Sequence, residues 1–240
     1  MTRSIAIIPV EGVGEVRPGD VLAELLLATP AGAALQDGDV VVVTQKIVSK
    51  AEGRLEAVPS DVPEALAHKA IVERESVRVL RRRGDLVISE TAHGFVCANA
   101  GVDLSNVEQG WVALLPLDSD RSARRIRDAL RARRPELARV GVIVSDTFGR
   151  PWRMGLTDVA IGCAGVAAVI DLRGSVDAQG RELQVTEVAV ADELASAAEL
   201  VMGKSSGVPA AIVRGVDPSW LRDGSVRDEI VRPPAEDLFR

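Results

Sequence analysis

The chain has 240 residues, of which 47% are hydrophobic and only 2% aromatic, and its formal net charge is −6. This length suits one large domain or two small ones. An acidic chain lacks the basic footprint of sequence-independent nucleic-acid binding, so we expect no nucleic-acid partner. No apolar run reaches the ~18 residues of a membrane helix and no signal peptide precedes Ile5, so we expect a cytoplasmic protein without a membrane segment.

Short apolar runs rich in β-branched residues predict strands, and apolar residues at helical spacing predict helices. Both kinds of element are mixed without the regular alternation of a doubly wound sheet, which favours an α+β fold of mixed sheets with packed helices. No repeat or linker marks a boundary, so residues 1–240 are treated as one domain. In chain order the pattern predicts strand 4–9, helix 20–29, strand 39–44, helix 61–82, strands 86–89 and 111–116, helix 120–134, strands 138–145 and 166–171, helix 187–202 and strand 209–214.

Local signals refine this order. Asp61 and Glu64 have the spacing of a capping box at the start of helix 61–82. Residues 177–180 (DAQG) predict a hairpin turn between antiparallel strands. Cys97 and Cys163 lack the spacing of a zinc site and are interpreted as small buried residues.

Lys46 and Lys50 follow the strand at 39–44. Lysine is scarce in this chain, which uses arginine freely, so two lysines close to a strand end hint at a phosphate-binding site. Codon bias or chance would give the same pattern, and both interpretations stay open.

An oxygen-rich turn at 100–106 follows an apolar stretch. Asp103 offers a carboxylate to a metal ion, and Asn106 offers an amide to a base or ribose. The alternative is an ordinary Asx turn in which Gly101 supplies the permissive backbone.

The segment 142–153 (VIVSDTFGRPWR) predicts an apolar strand that ends at a carboxylate and a hydroxyl. Ligands of α/β sheets gather beyond strand ends, and Mg²⁺ is usually held by one or two carboxylates together with substrate phosphates. Asp146 and Thr147 supply such oxygens, and Asp103 could share a metal with Asp146. The alternative is that Asp146 and Thr147 only cap a turn or the start of a helix.

Gly203-Lys204-Ser205 resembles the end of a phosphate-binding P-loop. The first glycine of that motif would fall on Ala198, however, and a helix rather than a strand precedes the segment. We therefore exclude a P-loop. Gly203 and Gly207 still allow the backbone to approach a nucleotide closely.

Together these segments resemble the coenzyme F420:L-glutamate ligase family, including the N-terminal ligase domain of its bifunctional mycobacterial members. The resemblance covers nearly the whole chain. Its motifs are IPV at 8–10, RPGD at 17–20, DGDV at 37–40 continuing to Lys50, EGR at 52–54, GVD at 101–103 with Ser105 and Asn106, SDT at 145–147 with Gly149, Arg150, Trp152 and Arg153, and VTEVAVADE at 185–193.

The resemblance implies GTP-dependent amide formation with two Mg²⁺ or Mn²⁺ ions per site, in which L-glutamate is added to the deazaflavin precursor F420-0 and extended through γ-linkages. It implies that Asp103 and Asp146 bind one metal and Thr147 a second. Because phosphoryl transfer relies on charge neutralisation, we expect metals on the two aspartates, with Lys50 and Arg150, to carry most of the catalysis. K⁺ stays open as a further cofactor. It also implies an intertwined homodimer of α+β chains. The implied GTP contacts are Val13, Gly14, Glu15, Val16, Gln45, Lys50, Asn106, Met202, Gly203, Lys204, Ser205, Ser206, Gly207, Val208 and Pro209.

An amine cannot displace a carboxylate oxygen until that oxygen becomes a leaving group. We therefore expect the acceptor carboxylate to attack the γ-phosphate of GTP, giving an acyl phosphate and GDP. The residues identify no general base for the amine.

Two departures from the family pattern qualify this expectation. Archaeal members place an oxygen-bearing side chain near a metal in the loop 202–209, where this chain has Lys204, which cannot ligate while protonated. Lys204 then either leaves the second metal more weakly held or contacts phosphate directly. The chain ends at Arg240, so we expect the flavin-binding domain of the bifunctional members to be absent.

Two alternatives remain at this point. The chain could be an amide-forming ligase of the same fold that acts on another anionic cofactor precursor, which a substrate panel would reveal. It could instead be a catalytically silent GTP-binding module, which would bind GTP without metal-dependent release of GDP.

Overall fold

The computed structural model describes residues 4–239 and confirms the α+β class. The helices are α1 Leu22–Leu27, α2 Pro30–Ala33, α3 Gln45–Ala51, α4 Glu64–Glu75, α5 Ser119–Arg133, α6 Val190–Met202 and α7 Val226–Glu229. The strands are β1 Ala6–Pro9, β2 Val40–Thr44, β3 Leu55–Ala57, β4 Ser76–Arg83, β5 Leu86–Thr91, β6 Val96–Ala98, β7 Trp111–Ala113, β8 Gly141–Arg150, β9 Arg153–Ala164, β10 Ile170–Asp171, β11 Glu187–Val188 and β12 Ala210–Arg214.

A five-stranded mixed sheet with the order β1-β12-β2-β8-β9 forms the centre of the structure. Strands β2 and β8 pair in parallel from Val40↔Gly141 to Thr44↔Ser145, and the other neighbours in this sheet are antiparallel. Because β2 and β8 run the same way, the carboxyl end of β2 lies beside Ser145, from which β8 continues to Arg150. Whatever follows Thr44 and Ser145 is therefore brought to one edge of the sheet.

Both faces of this sheet are buried, as the continuous apolar runs predict. Val41, Val43, Val142 and Val144 point to one face, where they join the apolar residues of α1, α3 and α5. Their sequence neighbours, such as Val42 and Ile143, point to the opposite face and pack with α6. The strand period of two thus divides a single apolar run between two cores.

A smaller cluster lies apart from this sheet. It unites Ile71 and Val72 of α4 with Val87 of β5 and Val112 of β7. Two small sheets, β3-β7 and β4-β5-β6, belong to this part of the structure. Its function in the site is to hold the loop that carries Asp103, because Asp103 forms an antiparallel bridge with Ala113.

Most predicted strands shift by a few residues, such as 111–116, which ends at Ala113, and two differ more strongly. The strand predicted at 138–145 begins at Gly141 and continues to Arg150, because β9 pairs with it along its whole length. The strand predicted at 166–171 is reduced to Ile170–Asp171, since residues 166–169 lie outside any strand. Strand β9 itself was not predicted.

The helix predicted at 61–82 is wrong beyond Glu75. Residues 76–83 form β4, whose residues Val77 and Val79 alternate with arginines and pair with β5. The capping box is also wrong, because α4 begins at Glu64 after Pro63 and no side chain caps it. The helix predicted at 187–202 begins only at Val190.

The predicted hairpin turn and the burial of both cysteines are confirmed. Residues 177–180 form a turn in which the Gly180 N–H donates to the Asp177 carbonyl at 3.0 Å, next to the antiparallel bridge Val176↔Glu182. Both cysteines are free and buried, and burial raises the pKa of Cys97 to about 12. None of the helices within residues 4–239 is long and apolar enough to span a bilayer.

Candidate active site

A cavity of about 1080 Å³ opens at the carboxyl end of β2, beside residues 145–147 in the middle of β8. It is large enough to hold more than one small ligand, since typical ligand pockets span ~300–1,000 Å³. Five segments that are distant in sequence form its walls. They are residues 14–18, 44–50, 103–108, 145–147 and 203–209, with further contributions from residues such as Asp158 and Glu199.

Helix α3 carries two of the cavity's cations. It starts directly after β2, so residues 45–51 are helical where the strand ends. Positions four apart lie on one face of a helix. Lys46 and Lys50 accordingly share a face that lines the cavity. Gln45 also contributes to the cavity wall, although it is mostly buried, and it bonds to the buried Ser49 at 2.6 Å.

Gln45 is tied to the fold by its amide nitrogen. The Nε2 atom donates to Ser49 Oγ at 2.6 Å and to the carbonyl of Leu114 at 3.1 Å. Both amide hydrogens are thereby used, so Gln45 can offer a ligand only its carbonyl oxygen. Lys50 Nζ contacts Glu15 Oε1 at 2.5 Å, which joins α3 to the loop 14–18 on the other side of the cavity.

The Asp103 loop has an unusual backbone. Asn99, Ala100 and Gly101 all have positive φ, and a Cβ at Gly101 would lie only 2.8 Å from Leu115. A larger residue at Gly101 would be strained and would also clash. The turn brings Asp103 to the cavity, where its Oδ1 accepts the Ser105 N–H at 2.7 Å as in the predicted Asx turn.

Asp103 is paired with a cation. Lys46 Nζ lies 2.7 Å from Asp103 Oδ2 and 2.8 Å from Ser105 Oγ. Burial by itself raises the pKa of the Asp103 carboxyl, but the hydrogen bonds and charge of Lys46, with the Ser105 N–H, outweigh burial and hold the pKa below its usual value. Asp103 is therefore a carboxylate at neutral pH.

Asp146 and Thr147 lie within β8 and not at a turn or helix start, which contradicts the alternative that they are caps. A β-bulge between Val144 and Ser145 precedes them and redirects the side chains that follow. Burial above all, together with the charges of Asp103 and Asp158, raises the pKa of Asp146 to about 7, against the opposing effects of the Thr147 N–H and of Lys204.

Lys204, in the loop after α6, extends towards the side chains of Asp146 and Thr147. Its Nζ donates to Thr147 Oγ1, and its charge lowers the pKa of Asp146. The Asn106 amide donates to the Lys204 carbonyl at 3.4 Å and so connects this loop to the Asp103 loop. The predicted absence of a P-loop is confirmed, because the segment follows helix α6.

The cavity brings together most residues for which the resemblance implied a role. Gly14, Glu15, Val16, Gln45, Lys50, Asp103, Asn106, Asp146, Thr147, Gly203, Lys204, Ser205, Gly207, Val208 and Pro209 all line it. Val13 and Met202 are buried in the two cores, and Ser206 donates its hydroxyl to the Met202 carbonyl, so these three do not line the cavity. The individual roles remain predictions.

Asp158 and Glu199 are among the cavity residues that were not singled out from the sequence. Asp158 is 2% exposed and lies opposite Thr147 in the sheet. Asp158 could have been predicted to face Thr147 only from the pairing of β8 with β9, and that pairing could be predicted only if β9 was first recognised as a strand. Burial raises the pKa of Glu199, and the charge of Asp158 adds to this effect.

The oxygen atoms of this site suit a hard divalent cation, which takes carboxylate and hydroxyl ligands. Lysine ammonium groups lie against Asp103 and Thr147, so cationic charge is already favoured at both positions. Across residues 4–239, however, no group of three or more His, Cys, Asp and Glu side chains is close enough to hold a metal ion. The donors fit a metal that also takes ligands from a bound phosphate.

Comparison with known proteins connects this site to a family. Residues 12–215 match the family described as F420-0:gamma-glutamyl ligase. The chain is 45% identical to the coenzyme F420:L-glutamate ligase of Methanopyrus kandleri over 99% of this chain and 98% of that protein. It is 46% identical to the ligase of the same name from Methanothermobacter thermautotrophicus, over 98% of this chain and 99% of that protein. It is 40% identical to the one from Methanocaldococcus jannaschii, over 91% of this chain and 90% of that protein. The chain therefore belongs to the F420-0:gamma-glutamyl ligase family.

Proposed function

We propose that this chain is a GTP- and divalent-metal-dependent ligase that joins L-glutamate to F420-0 and then extends the product through γ-linked glutamates. The observation that carries the proposal is the convergence of Asp103, Asp146 and Thr147 with three lysines on one cavity. Relatives that match this chain over nearly their full length carry the name coenzyme F420:L-glutamate ligase, which supports the choice of acceptor.

The charges in the cavity suit a nucleoside triphosphate. Lys46 and Lys50 supply ammonium donors from one face of α3 and Lys204 supplies a third from the loop after α6, and Gly203 and Gly207 let the backbone of that loop approach closely. Phosphoryl transfer depends mainly on positioning and charge neutralisation. A divalent cation held by Asp103 and Asp146, with a second at Thr147, would add the remaining positive charge.

The proposed reaction has two steps. A carboxylate oxygen of the acceptor attacks the γ-phosphorus of GTP, the bond to the bridging oxygen breaks, and GDP leaves with the electron pair. The amino nitrogen of glutamate then attacks the acyl carbon, inorganic phosphate leaves, and the nitrogen loses a proton. The lysines that neutralise the γ-phosphate in the first step also stabilise the departing phosphate in the second.

A direct test is to incubate the purified protein with GTP, Mn²⁺, L-glutamate and F420-0 and to record the product by mass spectrometry. We expect successive mass increments of one glutamyl residue, with one GDP released for each. Omitting Mn²⁺ in the presence of EDTA should abolish both. GDP release without any glutamyl product would contradict the proposed acceptor, and GTP binding without GDP release would indicate a silent binding module.

A further inference from the structure

Asp158 forms a compact polar group with two residues of the neighbouring strand. Its Oδ2 accepts the Ser145 hydroxyl at 2.9 Å and its Oδ1 accepts the Thr147 hydroxyl at 2.5 Å. Thr147 and Asp158 are directly opposed in the β8–β9 ladder, and Ser145 is two residues before Thr147. The strand period therefore directs all three side chains to one face.

The direction of the hydrogen bonds at Thr147 follows from the chemistry of its partners. A carboxylate can only accept, so Asp158 requires the single hydroxyl hydrogen of Thr147. A lysine ammonium can only donate, so the contact of Lys204 Nζ must use a lone pair of the same Thr147 oxygen. Asp158 thus turns the hydrogen away and leaves the oxygen free to accept a cation.

Strand pairing alone does not account for this carboxylate. β8 and β9 are joined by backbone pairing from Val142↔Ala164 to Arg150↔Arg153, so they need no side-chain tether at Thr147. Burying a charged group is costly unless other interactions compensate for it. A carboxylate that is 2% exposed at the base of the cavity therefore calls for a role in the site.

We propose that Asp158 is a positioning residue that fixes the Thr147 hydroxyl so that its lone pairs face a cation in the cavity. This inference rests on the proposed function, in which Thr147 contributes an oxygen to a divalent metal. Residues that orient a metal ligand commonly change metal affinity by ~10–100-fold when they are removed. Asp158 would act in this way on Thr147.

The test measures the Kd of Mn²⁺ in the presence of GDP, from the electron paramagnetic resonance signal of free Mn²⁺. Asp158→Leu removes the acceptor and should weaken Mn²⁺ binding by about tenfold or more. Asp158→Asn keeps a carbonyl oxygen for the Thr147 hydroxyl and should retain most of the affinity. Circular dichroism of the metal-free variants checks folding, and Asp158→Ala replaces Asp158→Leu if the latter does not fold.

A double-mutant cycle separates positioning from a general effect of negative charge. In a Thr147→Val background there is no hydroxyl to orient, so Asp158→Leu should cause no further loss of Mn²⁺ affinity. In a Thr147→Ser background the hydroxyl remains and the loss should return. Asp192→Asn is the matched control, because Asp192 accepts the Ala160 N–H from the same strand but lies outside the cavity, so the Kd for Mn²⁺ should be unchanged.

The possible outcomes distinguish this inference from the proposed function. If the wild-type protein binds no Mn²⁺ with GDP, the metal-dependent function and the role of Asp158 both fall. The other outcome is that the wild type binds Mn²⁺ and that Asp158→Leu weakens binding by the same factor in the wild-type and in the Thr147→Val background. In that case only the positioning role of Asp158 is overturned.

Discussion

Asp146 holds a carboxylate where burial opposes ionisation, and a bound cation would reverse that balance. We predict that Asp146→Asn lowers turnover by about 100-fold, because Asn keeps the size of the side chain but removes a charged metal ligand. Turnover is measured as GDP release across a titration of Mn²⁺. Asp128→Asn, at an exposed position of α5, is the control and should behave as wild type.

Wild-type turnover of Asp146→Asn at every Mn²⁺ concentration would place the metal site elsewhere. The same variant is informative without metal, because the raised pKa of Asp146 has a consequence for stability.

We predict that Asp146→Asn stabilises the metal-free protein more at pH 8 than at pH 5.5. The pKa of Asp146 is about 7 in the folded protein, so the unfolded chain releases this proton at lower pH and the wild type loses stability as the pH rises towards 7. Asn does not titrate. Between pH 5.5 and pH 8, the full pKa shift of Asp146 would change the free energy of unfolding of the wild type by about 2 kcal/mol. Contact of the carboxyl with water in the open cavity reduces this change to about 1 kcal/mol. Melting in EDTA at both pH values measures the difference, and an equal difference at both would refute it.

Nucleotide choice should depend on acceptor oxygens, because Gln45 has no amide hydrogen left to donate. Guanine presents two adjacent donors, N1–H and the N2 amino group, whereas adenine presents an acceptor at N1 and only a C–H at C2. We therefore predict a preference for GTP over ATP, worth ~1–3 kcal/mol if the wrong base leaves a buried polar group unpaired. The measurement is kcat/KM with each nucleotide, and equal values would contradict this role.

Strand β9 positions Asp158 and also fixes helix α5. Gly162 lies so close to the start of α5 that a Cβ would be 2.2 Å from the carbonyl carbon of Ser119. The helix cannot easily move away, because Asp120 accepts the N–H groups of Cys163 at 2.8 Å and Val226 at 3.0 Å. The contact therefore holds three elements together.

We predict that Gly162→Ala lowers the free energy of unfolding by about 3 kcal/mol, since backbone atoms would have to shift to admit the methyl group. Urea denaturation followed by circular dichroism measures this value. Gly149→Ala is the matched control in β8, because a Cβ there would meet only Leu156 at 3.9 Å. If both variants were equally stable, the close packing of β9 on α5 would not limit stability.

The elements that the sequence predicted best are those with one dominant pattern. The apolar runs of β2 and β12 and the amphipathic helix α5 carry their own signal. β9 does not, because its first half interrupts apolar residues with charged residues and a glycine, and it becomes a strand only by pairing with β8. α3 was missed because it begins without a capping side chain directly after β2.

The residues of the candidate site divide in the same way, into those that a local sequence pattern predicts and those that depend on long-range pairing. Asp103, Asp146, Thr147 and Lys50 could be found because each belongs to a motif that is continuous in the sequence. Asp158 could not, since its importance arises from facing Thr147 across a ladder that contains a β-bulge. Long-range pairing therefore decides which buried carboxylate belongs to the site.

A single chain leaves an unusual amount of apolar surface at two extended segments. In β4 and β5, Val77 is 68% exposed and Leu86 44% exposed, and at the β8–β9 hairpin Met154 is 98% exposed. β4 is moreover an edge strand of its sheet within the described part of the chain. Edge strands with exposed apolar residues are usually covered by another element or another chain.

We predict that the protein is a homodimer in which a second copy covers β4. Light scattering during size-exclusion chromatography at micromolar concentration should give twice the mass of one chain. Val77→Glu places a charge in this apolar surface and should shift the protein towards the monomer, because an unpaired charge is costly to bury in an interface. Leu66→Glu is the control, since Leu66 is also exposed but lies on α4. A monomeric wild type would contradict the prediction, whereas a dimer that resists Val77→Glu would place the interface away from β4.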